Sequence, residues 1–176
     1  MSMSATSDAD TNDAASNNAA TFDVVGTRQF RAPAEDAWRA WHDPTHLKSW
    51  WGPHGFTVPV ADLDFRVGGT SLIGVRAPAE FGGQDMFTAW TYRRIEPTTL
   101  LEFDLTFTDD TGARIGSPPG VPADVRHLVT FAPVDGQQGT VLTVTEYGYT
   151  DEAARDQSKA GLEQCLDKMS ALLDGR

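Results

Sequence analysis

The sequence has a single cysteine, few basic residues and no long apolar run, and each of these scarcities excludes a class of protein. One cysteine cannot form an internal disulfide, so the chain is not a small disulfide-stabilised domain. No apolar stretch approaches the ~18 residues of a membrane-spanning helix. The first residues also lack the basic, apolar and small-residue regions of a signal peptide. These features predict a soluble, cytoplasmic protein without membrane insertion.

The shortage of basic residues bears on possible partners. Lys and Arg together number 14 against 25 Asp and Glu, which gives a formal net charge of −11. A strongly acidic chain is repelled by phosphate backbones, so nucleic acid is not an expected partner. With 176 residues, of which 40% are hydrophobic and 10% aromatic, the chain can build one sizeable core. We expect a monomer or a homodimer.

Sequence motifs of cofactor and metal chemistry are also missing. There is no Gly-x-Ser-x-Gly elbow, no phosphate-binding loop and no dinucleotide fingerprint. The four histidines are too few and too irregularly spaced for a metal motif, since Pro44 interrupts the helical turn that would align the closest two; they are His42, His46, His54 and His127. Cys165 lies among apolar residues and is interpreted as a buried, inert thiol. No metal and no cofactor are predicted.

The pattern of the chain divides it into a tail and one domain. Residues 1–21 contain no aromatic residue, three Asp and no base, so they cannot bury enough surface to offset their ordering entropy. We predict a disordered acidic tail over 1–21 and a folded domain over 22–176. Within the domain, periodicity predicts the following strands and helices. The strands are 22–30, 56–66, 70–76, 85–95, 100–107, 125–134 and 140–149, and the helices are 34–41, 44–50 and 151–173.

Two segments carry additional predictions. In the second strand the apolar residues change phase near Pro59, which indicates a bulge or a change of sheet environment at 59–61. Residues 108–123 contain three Pro and three Gly and form a long irregular connection. Such loops are uncommon in compact domains, and this one is either a lid over a cavity mouth or a mobile hairpin tip.

The order of these elements resembles the START-like (SRPBCC, helix-grip) superfamily, in particular its branch similar to activators of the heat-shock chaperone ATPase. The resemblance covers roughly residues 22–173. The residues that carry it are Pro33, Trp38, Trp50, Trp51, Gly52, Pro53, Gly55, Phe56, Asp64, Arg66, Gly68, Gly69, Ile95, Glu96, Pro97, the stretch 100–103, the stretch 139–143, Gly161, Leu162 and Leu166. The resemblance implies an α+β fold in which a curved antiparallel sheet grips a long carboxy-terminal helix, with a ligand cavity between them.

The resemblance leaves three functions open. The first is a binder of a small hydrophobic or amphipathic ligand, lipid-like or polyketide-like, without catalysis. The second is an enzyme similar to polyketide cyclases or hydrolases that uses the same cavity. The third is a co-chaperone that activates a heat-shock chaperone ATPase. We favour the first because the sequence offers apolar lining and no catalytic constellation.

Glu146 is the one weak candidate for a catalytic group. It shares strand phase with Leu142 and Val144, so it faces the predicted last helix. A carboxyl held there would be desolvated and its pKa raised, as a general acid or base requires. The alternative is that Glu146 is exposed or paired with an Arg.

The predicted ligand-binding residues combine flat apolar faces with polar tips. His54 is placed near the cavity opening by the resemblance, and core packing would explain several of the others equally well. The set is Trp51, His54, Trp90, Tyr92, Phe103, Tyr147, Leu162 and Leu166.

Overall fold

The computed structural model describes residues 20–175 and shows seven strands and three α-helices in that part of the chain. A short 3-10 turn at Ala79–Phe81 lies in the hairpin between the third and fourth strands. In chain order the elements are β1 (Phe22–Phe30), α1 (Ala34–His42), α2 (Pro44–Trp50), β2 (Thr57–Asp62), β3 (Thr70–Arg76), β4 (Asp85–Glu96), β5 (Leu100–Thr108), β6 (Asp124–Pro133), β7 (Thr140–Tyr149) and α3 (Glu152–Asp174).

The strands form one antiparallel sheet in the order β1-β7-β6-β5-β4-β3-β2. Only the pairing of β1 with β7 joins strands that are distant in sequence, so the first strand is added beside the last. Alternate residues of each strand point to the inner face, as period-two side-chain geometry requires. In β6 the inner-face residues are Val125, His127, Val129 and Phe131, all of them buried.

Helix α3 packs against the inner face of the sheet and closes it. Its buried stripe consists of Leu162, Cys165, Leu166, Met169 and Leu173. The helix approaches β1 closely at Gly26, where an added Cβ would lie only 2.7 Å from Leu162 Cδ2. A curved antiparallel sheet held against a long last helix, with two short helices after the first strand, is the helix-grip arrangement. The predicted fold class is confirmed.

The short helices α1 and α2 meet at Asp43. Its backbone N–H closes α1 by donating to the Arg39 carbonyl, and its side chain accepts from the amides of Thr45 and His46 at the start of α2. The His46 amide bond, together with the weaker one from Thr45 and the nearby His46 ring, holds the pKa of the Asp43 carboxyl below its usual value against the opposing effect of burial. The turn directs α2 so that it delivers Trp50 and Trp51 to the core.

Most predicted boundaries agree with the structure to within one residue, but the second strand was predicted too long. The prediction was 56–66, whereas β2 ends at Asp62. Residues after it turn back, with Arg66 N donating to Asp64 O and Gly69 N donating to Arg66 O. The alternation of polar and apolar residues at 62–67 therefore belongs to a turn. The predicted bulge is confirmed, since the β2–β3 register shifts between Thr57 and Val60.

The long connection after β5 is folded onto the domain. Ile115 N donates to Phe107 O, and Thr150 N donates to Gly120 O, which attaches the loop to the residues just before α3. Val121 packs against the core. The alternative of a mobile hairpin tip is therefore disfavoured, and whether the loop acts as a lid stays a prediction.

Two further predictions concern the chain as a whole. The predicted tail falls almost entirely on residues 1–19, which lie outside the described residues. No helix within residues 20–175 is both long and apolar enough to cross a membrane.

Candidate functional site

A box of aromatic side chains occupies the inner face of the sheet beneath α1 and α2. Trp41 comes from α1, Trp50 and Trp51 from the end of α2, Trp90 from β4 and Phe103 from β5. The ring centroids of Trp51 and Trp90 are 4.7 Å apart, those of Trp41 and Trp50 4.8 Å, and those of Trp90 and Phe103 4.6 Å. We call these five residues the aromatic box. Trp51 is its only half-buried member; the others are fully buried.

The indole N–H groups of the box are not equally satisfied. Trp50 Nε1 donates to the Ala40 carbonyl at 2.8 Å. Trp41 Nε1 and Trp90 Nε1 are buried and have no hydrogen-bond partner. An unpaired donor in a buried environment costs about 1–3 kcal/mol, so two of them in one cluster are unusual.

A row of side chains runs from the aromatic box across the sheet to Glu146. The ring of Phe103 stacks on that of Trp90 on one side and on that of His127 on the other, with the His127 centroid 4.7 Å away. Phe103 is directly opposite His127 in the register, and His127 is directly opposite Glu146. This arrangement places a buried acid and a buried base next to the aromatic box.

Glu146 is held by three neighbours. Its Oε2 lies 2.5 Å from the Tyr149 hydroxyl and 2.8 Å from Ser158 Oγ, and its Oε1 lies 3.6 Å from His127 Nε2. Burial alone would raise the pKa of the Glu146 carboxyl, but the His127 ring and the two hydroxyls outweigh it and lower the pKa below its usual value. Burial, and next the adjacent Glu146 carboxylate, raise the pKa of Tyr149.

The tautomer of His127 follows from its other contact. Nδ1 lies 3.0 Å from the Val125 carbonyl, which can only accept, so Nδ1 carries a proton. The contact between Nε2 and Glu146 Oε1 is then favourable only if one further proton lies on either group. The two side chains form a buried acid–base pair, and each is less than a tenth exposed.

Both sequence interpretations of Glu146 need correction. The predicted upward shift of its pKa is wrong, because the hydrogen bonds that stabilise the carboxylate outweigh its desolvation. The alternative of an exposed or Arg-paired carboxyl is also wrong, because Glu146 is buried and its partner is a histidine. Oε2 accepts from two hydroxyls, Oε1 faces the His127 ring, and the carboxyl is buried, so a catalytic role for Glu146 stays a prediction.

Beside the aromatic box, the turn from Trp51 to Phe56 is attached to α3 through Lys168. Its Nζ donates to the carbonyls of Trp51, Gly52 and Phe56. Partial burial lowers the pKa of Lys168. The buried thiol of Cys165, one helical turn earlier, has its pKa raised to about 12 by burial, which agrees with the predicted inert thiol. The nearby Lys168 ammonium opposes this shift but does not outweigh burial.

The structure brings most of the predicted ligand-binding residues together. Trp51, Trp90 and Phe103 belong to the aromatic box, and Tyr92 lies beside it with its hydroxyl 2.8 Å from Ser71 Oγ. Burial raises the pKa of Tyr92 to about 12. Leu162 and Leu166 lie on the buried stripe of α3.

Two predicted residues lie apart from the others. His54 is exposed, and its Nε2 is 3.9 Å from Asp167 Oδ2. Tyr147 faces the outer side of the sheet, where it lines a groove of about 590 Å³. That groove is bordered by Arg and acidic side chains that pair with one another, such as Arg126 with Asp104. Its lining is therefore more polar than the aromatic box of the inner face.

Sequence reasoning did not identify three residues of this site, which are His127, Ser158 and Lys168. A signal for His127 was present, because the alternation of β6 puts it in phase with the buried Val125 and Val129. Ser158 and Lys168 gave no comparable signal, since a polar residue on a helix is ordinarily solvated. Within residues 20–175 no group of three or more His, Cys, Asp or Glu is arranged to hold a metal ion.

The fold and the inner-face arrangement define a helix-grip domain. Residues 31–174 match the family described as "Activator of Hsp90 ATPase homolog 1-like protein", and the chain belongs to that family. No curated protein matches the chain.

Several solved structures are similar over nearly the whole domain. A protein from Chromobacterium violaceum is 27% identical, with a TM-score of 0.71, over 86% of this chain and 96% of that one. A protein from Arthrobacter aurescens is 25% identical, with a TM-score of 0.70, over 90% and 88%. The AHSA1 protein from Silicibacter pomeroyi is 22% identical, with a TM-score of 0.71, over 87% and 98%, and supports the fold alone.

Proposed function

We propose that this protein binds a small hydrophobic or amphipathic molecule, lipid-like or polyketide-like, between α3 and the inner face of the sheet. The observation that carries the proposal is the pair of buried indole N–H groups without acceptors, on Trp41 and Trp90. Each would gain a hydrogen bond from a ligand that brings an oxygen acceptor into the aromatic box.

The chemistry of the aromatic box limits the class of ligand that can bind there. Its five side chains are uncharged, and the neighbouring Glu146 and Lys168 side chains are already bonded to other protein groups. A ligand carboxylate would therefore lack a cation to compensate its desolvation. The best fit is a flat apolar molecule with a neutral acceptor, such as a ketone oxygen.

The same contacts favour a binder over an enzyme. A general base needs a lone pair directed at the substrate, whereas Glu146 is buried, its Oε2 accepts from Tyr149 and Ser158, and its Oε1 faces the His127 ring. A cyclase-like or hydrolase-like reaction at Glu146 is accordingly the weaker candidate. The family description names an Hsp90 ATPase activator; a heat-shock chaperone as partner stays a prediction from the sequence.

Matched probes and matched variants test the proposal. Flavone carries a carbonyl acceptor, and 2-phenylnaphthalene has a similar shape without one. We expect flavone to raise the melting temperature and quench tryptophan fluorescence, and 2-phenylnaphthalene to bind about tenfold more weakly. Palmitate represents the lipid-like alternative. Product analysis by mass spectrometry would show whether any bound probe is converted.

The variant Trp90→Phe removes an unpaired N–H and keeps a flat ring, so the preference for flavone over 2-phenylnaphthalene should fall. Trp50→Phe is the control, because Trp50 Nε1 is already bonded to Ala40. Trp50→Phe should lower the melting temperature and leave the preference for flavone over 2-phenylnaphthalene unchanged. Equal binding of the two probes to the unaltered protein, or no binding of either, would contradict the proposal.

A further inference from the structure

The ammonium group of Lys168 makes three hydrogen bonds, all to backbone carbonyls of one short segment. Nζ lies 3.3 Å from Trp51 O, 3.0 Å from Gly52 O and 3.2 Å from Phe56 O. An ammonium group has three N–H donors. The carbonyls therefore saturate it, and they come from both ends of the Trp51 to Phe56 turn.

The same face of α3 makes the other contacts with this turn. Gln164 Oε1 accepts from the backbone N–H of His54 at 3.0 Å. One turn earlier, Gly161 faces Pro53, whose Cγ would lie 3.7 Å from an added Cβ, an ordinary van der Waals distance. Positions 161, 164 and 168 share one helical face. The turn is therefore attached to a continuous line on α3, on which Lys168 donates three charge-assisted hydrogen bonds. Beside that line, the exposed His54 ring lies 3.9 Å from Asp167 Oδ2.

This attachment determines where Trp51 lies. Trp51 is the first residue of the turn, its carbonyl is one of the three Lys168 acceptors, and its ring packs against Trp90. It is also the one tryptophan of five that is half-buried, so it forms the outer edge of the aromatic box. Because Trp41 and Trp90 are fully buried, a ligand can reach them only after some of the side chains that cover them move.

We propose that Lys168 is a positioning residue that holds Trp51 over the aromatic box, and that a ligand is admitted when the Lys168 bonds to the turn break. The part that concerns ligand access rests on the proposed function. The part that concerns the position of Trp51 does not, and it is testable on the ligand-free protein.

The first experiment uses hydrogen exchange and acrylamide quenching without ligand. Lys168→Met keeps the length of the side chain and removes all three donors. Charged hydrogen bonds contribute more than neutral ones, so exchange of the His54 and Phe56 amides should accelerate about tenfold or more. Exchange in β1 and β7 should stay unchanged. Quenching should increase, since Trp51 is the tryptophan nearest solvent.

Lys159→Met is the matched control. Lys159 lies on the same helix and donates to a single carbonyl, that of Val25, at the exposed edge of β1. It should leave the His54 and Phe56 amides unaffected. If Lys168→Met does not fold, Gln164→Ala tests the same line of contacts through the His54 amide. Unchanged exchange in the turn, or uniform acceleration over the whole domain, would overturn the proposal.

The second experiment measures flavone binding by stopped-flow fluorescence. Lys168→Met should raise the association and dissociation rates together, with a smaller change in Kd, because opening becomes easier for both steps. If flavone binds neither protein, the proposed function fails and the ligand-free exchange still decides the role of Lys168. Faster exchange in the turn with unchanged flavone rates would show that this edge is not the route of access.

Discussion

Glu146 illustrates how the surroundings of a single buried carboxyl decide its chemistry. It connects β7 to β6 through His127 and to α3 through Ser158, and Tyr149 lies against the same oxygen. Three hydroxyl and carboxylate oxygens lie within 2.8 Å of one another. Such a satisfied buried network fixes the position of the helix relative to the sheet. Its effect is therefore expected on stability, not on turnover.

The variant Glu146→Gln tests this role through its pH dependence. Because the pKa of Glu146 is lower in the folded protein than in the unfolded chain, its stabilisation is present above the unfolded value of about 4.3 and is lost as pH falls through the folded pKa. At pH 7 we expect Glu146→Gln to lower the free energy of unfolding by roughly 1–3 kcal/mol.

Urea denaturation at several pH values gives the measurement. The difference between Glu146→Gln and the unaltered protein should shrink as the pH is lowered from 5 toward 3, in about the range where the unaltered protein loses this contribution. Glu80→Gln, at an exposed position in the β3–β4 hairpin, is the control and should show no such trend. A constant difference at every pH would mean that the Glu146 charge is not part of the stabilisation.

At the scale of elements, the contact between β1 and α3 depends on a missing side chain. A Cβ on Gly26 would lie 2.7 Å from Leu162 Cδ2 and 3.2 Å from Leu166 Cδ1. Gly26→Ala should therefore cost about 1–3 kcal/mol by overpacking. Leu162→Ala and Leu166→Ala, each on the buried stripe, should cost roughly 2–5 kcal/mol.

The double variant Gly26→Ala with Leu162→Ala tests whether the cost of Gly26→Ala comes from its contact with Leu162. Truncation of Leu162 removes the atom that the new methyl group would meet, so the cost of Gly26→Ala should fall by about 1 kcal/mol or more in that background. Denaturant midpoints of the four proteins complete the cycle. Additive costs would show that Gly26 is required for a reason other than its contact with Leu162.

The loop after β5 offers a second test of an element contact. Gly120 has a φ of 78° and an added Cβ would lie 2.5 Å from Asp151 Cβ, at the N-cap of α3. Gly112 in the same loop has a φ of 84°, and nothing lies within 4 Å of the corresponding position.

Alanine at either glycine introduces the same left-handed strain, about 1–2 kcal/mol. Gly120→Ala adds a clash with the helix start, so it should be the more destabilising by about 1–3 kcal/mol. It should also speed amide exchange at Thr150, whose N–H donates to Gly120 O. Equal melting temperatures for the two variants would indicate that the loop is not docked on α3.

At the scale of the whole molecule, the sequence was sufficient for the fold because each element carries its own local signal. The alternation in β5 and the apolar stripe of α3 can each be recognised from the residues of that element alone. The end of β2 was missed because alternation at 62–67 fits a strand as well as a turn held by Asp64 and Gly69.

The candidate site was predicted less completely, because its contacts join residues far apart in the chain. The stacking of Phe103 on His127 depends on the register of β5 and β6. The bonds of Lys168 to residues 51–56 depend on how α3 crosses the sheet. Strand phase shows that a residue faces inward, but it does not show what that residue meets there.

The last prediction concerns where the folded domain begins. A chain that starts at Thr21 keeps all of β1, including Phe22 opposite Tyr149 and Asp23, whose carboxylate accepts from Gly148 N. It loses three Asp, so its formal charge changes from −11 to −8. Because the composition of 1–20 predicts no packed contacts, it should melt within about 1 °C of the full chain.

A chain that starts at Gly26 provides the contrast, since it also loses the fully buried Val24 and its pairing with β7. It should melt several degrees lower, because one large buried side chain contributes about 2–3 kcal/mol and a small domain shifts by roughly 2–8 °C for each kcal/mol. Calorimetry on the three proteins makes the comparison. A marked loss of stability already at Thr21 would show that the tail contacts the domain, and equal melting of all three would show that the start of β1 contributes little.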